Sequence, residues 1–410
     1  MTEQTNESAL AHHTGAAEPQ EHNAVRVGIT HGDTNGVGYE LIFKTFSNPA
    51  MAEMCIPVVY GSAKAAAYHR KSLEAETQFH IVPNATEASS GRLNLINCFD
   101  DEVKIELGKV SPEAGKAARL SLERAVSDLK AGLIDVLVTA PICKEAIQSD
   151  DFHYTGHTEF LQANAPEGSE ALMILANSLM RVALVTVHVP VKDVAPLITT
   201  DRVLQKIRQF YASLRRDFLL PAPRIAVLGL NPHCGDGGTV GNEEAEQIAP
   251  AIKQAVEEGI PCFGPFSADG FFGAGMYSQF DGVLAMYHDQ GLAPFKALSM
   301  DDGVNFTAGL PFVRTSPDHG TAFDIAGKNK ANEASFRQAI YAAIDIFRNR
   351  RADDEAHSNP LPKLYHERRE DSDRQRRYPQ AARPPRDRQS AAPQPAAPTT
   401  NTAPTESKQD

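Results

Sequence analysis

Three histidines suggest the chemistry to look for. His188, His233 and His288 each follow a short apolar run: VALVTV before His188, IAVLGLNP before His233 and VLAMY before His288. A lone imidazole at a strand end is ordinarily a hydrogen-bonded structural residue. Three in the same topological position can meet, because the carboxyl ends of the strands in an open parallel sheet face one crevice. Three imidazoles also leave positions on a divalent ion open for water or substrate, which marks a catalytic metal site and not a closed structural one. Asp289, next to His288, is placed either to orient that ring or to cap a helix.

A second group of residues suits an anion. Lys296, Asn305 and Arg314 stand in Gly-rich, otherwise apolar sequence. Lysine offers a point charge, and arginine a planar fork that matches phosphate or carboxylate. In Thr155-Gly156-His157-Thr158-Glu159 a turn glycine precedes small donors at the start of a helical stretch, a common anion setting. Together they point to a small acidic substrate.

The elements that must position these groups are legible in outline. Strand-like runs at 25–30, 57–60, 135–140, 181–187, 224–230 and 282–287 alternate with helical patterns. Ser111-Pro112 opens a helix with a capping hydroxyl and a proline at the first position, Ala118, Leu122, Ala125 and Leu129 share one face, and Gly132 closes it. Further helices are expected at 243–258 and 332–348, the last capped by Asn332. Near-continuous apolar strands separated by helices predict a mainly parallel α/β sheet. The turn at 32–38, rich in glycine, is neither a G-x-G-x-x-G nor a Walker loop and is read as a tight strand-to-helix connection.

The chain has 410 residues, 42% of them hydrophobic, enough for about two domains. A net charge of −12 without a basic cluster in the ordered part argues against nucleic acid as a partner. No apolar run approaches the ~20 residues that span a bilayer. Arg26 is the first basic residue, so a leader peptide is not expected, and five scattered cysteines without Cys-x-x-Cys fit a reducing cytoplasm. Residues 1–24 and the Pro/Arg-rich stretch 351–410 are expected to be disordered tails.

Several motifs now combine: GITHGDTNGVGYEL, VTAPICKEAI, TGHTEFL, VTVHVPVKDV, LGLNPHCGDGG, AMYHDQGL and GVNFTAGLPFVRTSPDHGTAFDIAG. With them the chain, from about Val25 to Arg348, resembles the 4-hydroxythreonine-4-phosphate dehydrogenases of pyridoxal phosphate biosynthesis. The resemblance implies two α/β domains about a central cleft, similar to isocitrate and isopropylmalate dehydrogenases. Residues 25–150 with 322–350 would form one domain, and 151–321, carrying the dimer interface and metal site, the other. It implies NAD-dependent oxidation of 4-phosphooxy-L-threonine to 2-amino-3-oxo-4-phosphooxybutanoate, which decarboxylates to 3-amino-2-oxopropyl phosphate, on the way to pyridoxine 5'-phosphate. One divalent metal (zinc, magnesium or cobalt) would be held by His188, His233 and His288, drawn from both subunits of a homodimer. Substrate contacts would fall to His157, Thr158, Lys296, Asn305 and Arg314. Asp269, Asp289 and Lys296 would serve catalysis. His319, Gly320, Thr321, Ala322 and Asp324 resemble the adenosine loop of the isocitrate group. Thr34, Asn35 and Tyr39 depart from the proline, alanine and proline usual in the first turn, and Gly270-Phe271-Phe272 after Asp269 is also atypical. Two other readings remain open: a dehydrogenase of a four-carbon sugar-acid phosphate such as threonate 4-phosphate, and a non-catalytic metabolite binder on the same fold.

Overall fold

Short apolar strands with helices between them fold into one twelve-stranded sheet in the computed structural model, which describes residues 24–99, 103–298 and 301–359. The strands are β1 (Arg26–Thr30), β2 (Ile56–Gly61), β3 (Phe79–Ile81), β4 (Leu93–Asn97), β5 (Val136–Thr139), β6 (Leu172–Ala176), β7 (Arg181–Leu184), β8 (Ile225–Leu228), β9 (Cys262–Phe266), β10 (Gly282–Ala285), β11 (Val304–Ala308) and β12 (Val313–Pro317). Their order across the sheet is β3-β4-β2-β1-β5-β12-β11-β6-β7-β10-β8-β9. The strands that lead into the histidines are buried apart from Arg181 at the start of β7, as expected where helices cover both faces.

The centre departs from the expected parallel pattern. β11 runs antiparallel to both β12 and β6, and β6 antiparallel to β7, while the remaining pairs are parallel. The connections are the cause. Only residues 309–312 separate β11 from β12, and only 177–180 separate β6 from β7, far too few for a parallel crossover. Gly309, at φ 79°, and the Asn177 side chain, accepting from the backbone N–H groups of Leu179 and Met180, make these two reversals.

Pairing fixes which side chains share a face. Arg314 lies opposite Leu137 on β5 and opposite Thr307 on β11. Ser316 lies opposite Asn305, and Thr307 opposite Met173 on β6. Because strand side chains alternate with period two, Thr139, Arg314, Ser316, Asn305, Thr307 and Met173 stand on one face of four central strands.

The helix Pro112–Lys130 starts as expected, with Ser111 Oγ accepting from Ala114 N at 3.2 Å. The expected helix at 243–258 opens with a wider π turn, Glu244–Ile248, before the α-helix Ala249–Glu257. The last helix, Ala334–Ser358, packs on β12 and runs past the expected end at 348. Residues 351–358 therefore belong to it and not to a tail. Arg350 anchors this stretch from a buried position, donating to Asp217 Oδ1 at 2.6 Å and to the Leu310 carbonyl at 3.1 Å, and Arg216 reaches Asp354 at 2.8 Å. Charged residues that look like a tail in sequence are here the helix's attachment. The terminal segments 1–23 and 360–410 lie outside the described residues. Among the described residues no helix is long and apolar enough to cross a membrane.

The first turn is buried, and Tyr39 explains how. Its ring stacks on His31 with centroids 5.0 Å apart and on His69 at 4.9 Å, and its hydroxyl accepts from Ser62 N at 3.2 Å. Burial pushes His31 down to about 3, helped by neighbouring His69, and pushes His69 down to about 4. Both imidazoles are neutral in the fold, whereas in the unfolded chain they take up protons near pH ~6.5. Asp33 acts in the opposite sense, since burial raises it to about 6. Between pH 6 and 4 the unfolded state thus holds about two protons on these groups while the native state holds about one, so stability falls as pH falls through this window. Thermal melts from pH 7 to 4.5 should show a declining Tm. His31→Phe should flatten that decline without loss at pH 7, because neither ring nitrogen of His31 has a hydrogen-bond partner to lose.

Candidate active site

The polar face of the central strands forms the floor of a cleft of about 270 Å³. It gathers Thr139, Lys144, His157, His288, Lys296, Asn305, Arg314, Asp318, His319 and Gly320 from segments scattered along the chain. Arg314 is the fixed point. Its side chain is buried, with Nε and Nη2 donating to Thr139 Oγ1 at 3.1 and 2.6 Å and Nη1 to Thr307 Oγ1 at 3.1 Å. Burial lowers its guanidinium to about 9, partly offset by Glu159, and so it stays charged at neutral pH.

That charge governs His157, which begins the short helix His157–Ala163. Burial, then the cations Arg314 and Lys144, hold its imidazole well below the usual histidine range. His157 is therefore neutral, and its buried Nε2 has no protein partner. Asn305 Oδ1 is likewise buried without a partner. His319 Nε2, at the same cleft, is a third. Buried polar atoms are almost always paired, so three orphans beside one cleft are what a bound ligand would satisfy. Thr158 follows His157 on this helix but does not line the cleft. Lys296 is held in place by Asp318, donating to its carbonyl at 3.1 Å with the carboxylate at 3.3 Å. Burial raises the Asp318 carboxyl and the lysine beside it draws it back.

Of the three histidines, the structure brings two together. His188 and His288 follow neighbouring strands, β7 and β10, and their rings lie 6.1 Å apart. His288 Nδ1 is 2.7 Å from Asp289 Oδ1, and His188 Nδ1 is 3.6 Å from Glu159 Oε1. The His188 interaction also holds Glu159 down to about 2. With both Nδ1 atoms facing carboxylates, both Nε2 atoms are left as lone-pair donors, the usual arrangement of metal-binding imidazoles. His233 does not join them, and among the described residues no three His, Cys, Asp or Glu side chains form a metal-sized cluster. The three-way convergence expected from strand ends is thus not made within one chain. His233 sits on the exposed segment Pro232–Gly238, where the backbone turns left-handed and carries it out of line with β8. Its electrostatic neighbour is Asp269, an exposed carboxylate that accepts from Ser267 Oγ at 2.5 Å. The pair His188–His288 fits half of a metal site, and a complete one needs a third ligand from elsewhere.

The expected cofactor loop divides. His319 lines the cleft and also a second hollow of about 270 Å³, whose walls are Val37, Leu41, Ala322, Ile325 and Ala331 with Asp301, Lys330 and Asn332 at its polar side. Gly320 borders the cleft, and Thr321 accepts from Val37 N at 3.2 Å. The loop therefore rests on the turn at 32–38, and Val37 of that turn lines the second hollow beside it. Asp324 is exposed, lining neither hollow, and its carbonyl accepts from Lys328 at 2.6 Å. Sequence reasoning left Thr139, Thr307, Lys144, Asp318, Glu159 and Asn332 out of the site. All of these but Asn332 lie within the quoted motifs, so the segments were in view while the individual residues were not assigned a role.

Comparison with known proteins identifies the family. Residues 53–343 match the family described as pyridoxal phosphate biosynthetic protein PdxA. A 4-hydroxythreonine-4-phosphate dehydrogenase from Bacteroides thetaiotaomicron is 59% identical over 354 residues, covering 86% of this chain and 97% of the relative. A protein from Oceanobacillus iheyensis, provisionally named a D-threonate 4-phosphate dehydrogenase, is 40% identical over 78% of this chain and 97% of its own length. Among solved structures, a 4-hydroxythreonine-4-phosphate dehydrogenase from Klebsiella pneumoniae superposes with a TM-score of 0.69 at 34% identity, covering 79% of this chain and 98% of that one. A mixed α/β sheet, a cleft floored by a buried arginine and these matches place the chain in the PdxA family of pyridoxal phosphate biosynthetic proteins, as a dehydrogenase.

Proposed function

We propose that this chain oxidises 4-phosphooxy-L-threonine with NAD, giving 2-amino-3-oxo-4-phosphooxybutanoate, which loses CO₂ to yield 3-amino-2-oxopropyl phosphate. A dehydrogenase of this family uses a nucleotide cofactor and a small phosphorylated substrate. The observation that carries the finer reading is the buried, threonine-held Arg314 facing the same cleft as the orphaned His157 Nε2 and Asn305 Oδ1. Arg314 and Lys296 would hold the phosphate, with neutral His157 donating a hydrogen bond, free of a second charge that would compete with the arginine. Hydride would pass from the hydroxyl-bearing carbon to nicotinamide at the His319 side of the cleft, and adenosine would occupy the apolar hollow beyond it. The new ketone lies β to the carboxylate, which is why CO₂ can then leave. His188 and His288, with His233 of a second copy, would hold a divalent ion that polarises the hydroxyl. Asp289 and Glu159 would orient the two imidazoles, and Asp269 would stand beside His233.

The same reading makes the enzyme a cytoplasmic homodimer, in keeping with five free cysteines and a half-complete metal site in one chain. It also takes 25–150 with 322–350 and 151–321 as the two lobes about the cleft. A second reading, oxidation of threonate 4-phosphate, is favoured by the Oceanobacillus relative and would use the same phosphate groups.

Absorbance of NADH with each substrate separates the two readings: 4-phosphooxy-L-threonine should be preferred, and a strong preference for threonate 4-phosphate overturns the proposal. A chelator should abolish turnover, and added divalent metal should restore it. Arg314→Lys, which keeps charge but loses the fork, should lower kcat/KM by about 100-fold, and Thr139→Val, which frees two of the arginine's donors, by about 10-fold. Gly320→Val should raise the KM for NAD about 10-fold at unchanged Tm, since a Cβ there meets nothing within 4 Å in the free protein. Unchanged NAD kinetics would remove this loop from the cofactor site.

A further inference from the structure

Six consecutive residues of the segment bearing His233 have positive φ: His233 (53°), Cys234 (52°), Gly235 (79°), Asp236 (44°), Gly237 (64°) and Gly238 (95°). Glycine adopts this region freely, but His233, Cys234 and Asp236 do so against the clash of their own Cβ atoms. Such a conformation persists only where its surroundings over-determine it. A buried side chain supplies much of that determination, beside Glu243, whose Oε2 accepts from Asn231 Nδ2 at 2.7 Å. Glu244 is 4% exposed and sits in the π turn that follows the loop. Its Oε1 accepts from the backbone N–H groups of Leu230 and Asn231 at 2.7 and 2.6 Å, and its Oε2 from Asn231 Nδ2 at 3.0 Å. The carboxylate thus fixes the chain at the exit of β8, two residues before His233. The loop also closes onto it: a Cβ on Gly235 would lie 2.9 Å from Oε2, and one on Gly229 3.1 Å from Oε1. Single π turns inside helices recur at functional sites, and here the turn serves to bring Glu244 beneath the loop.

We infer that Glu244 is the positioning residue for His233, setting the direction of its imidazole by holding the left-handed loop that carries it. It touches neither ligand nor substrate and acts through the backbone of Leu230 and Asn231. The inference rests on the proposed role of His233 as a metal ligand, and the test is arranged to separate the two.

The full-length protein is loaded with Co²⁺. Affinity is read by competition with a chromogenic chelator, and ligand geometry by the visible absorption of the bound cobalt. Glu244→Ala should weaken Co²⁺ binding about 10- to 100-fold and alter the spectrum, with the Kd for NAD unchanged. Glu244→Asp keeps the charge but withdraws the acceptor by one methylene, and should alter the spectrum with a smaller loss of affinity. It decides the matter if the alanine variant fails to fold. Glu246→Gln, at an exposed position of the same turn, should match the wild type. His233→Ala provides the reference. If it loses cobalt while the Glu244 variants keep wild-type affinity and spectrum, the positioning role is wrong and the metal reading stands. If His233→Ala itself binds cobalt with wild-type affinity and spectrum, the metal reading fails and this inference with it.

Discussion

A full positive charge at the centre of a β-sheet is the constraint on which the rest of the structure turns. Moving a guanidinium out of water is costly unless its donors are satisfied and its charge is balanced. Arg314 meets the first demand with two threonine hydroxyls, Thr139 and Thr307. It does not meet the second among the described residues. Hydroxyls accept hydrogen bonds without bringing negative charge, and Glu159 acts on the arginine only through space. A cation that is geometrically fixed yet electrostatically uncompensated is a ready receptor for an anion. The ligand supplies what the fold withholds, so binding gains both the Coulomb attraction and a fork that needs little reordering.

The same charge sorts the protonation of its neighbours. His157 lies between Arg314 and Lys144 in a buried site, and both cations disfavour imidazolium. The result is a neutral donor–acceptor beside a permanent charge, a division of labour set by environment and not by residue type. Lys296 differs again. It is tied to Asp318, remains partly exposed, and can move toward a ligand at the cost of one half-screened pair. The cleft thus combines one rigid cation with one adjustable one.

Away from this floor, the histidines follow a different principle. His188 and His288 meet because β7 and β10 are hydrogen-bonded neighbours, and each ring has a carboxylate behind it. His233 stands apart because a left-handed loop intervenes, and a buried carboxylate holds that loop. Two of the histidines are placed by sheet adjacency and the third by a braced turn, which is why equivalent sequence positions do not give equivalent places in space. The first turn shows a related economy. Tyr39 fills its place by stacking on two neutral imidazoles, and the carbonyl of Thr321 docks on the Val37 amide of the same turn.

Much of this was legible in the residue order. Apolar runs gave β1, β2, β5, β7, β8 and β10 but not the other six strands, Ser111-Pro112 and Gly132 bounded their helix, and the types and spacing of His157, Lys296, Asn305, Arg314 and the histidines marked groups whose chemistry suits phosphate and metal. These features are local, set by side-chain period, capping and charge within a few residues. What sequence could not assign was pairing. Thr139 and Thr307 read as ordinary strand threonines until the registers of β5, β12 and β11 put them on either side of Arg314. Asp318 became the partner of Lys296 only when a helix and a strand end met. Residues 351–358 looked like tail because their charges have no period, yet Asp217 and Arg216 in a distant segment hold that stretch as helix. Register, handedness and long-range ion pairs depend on which segments pack together, and that choice is made by the whole core and not by any window of the chain.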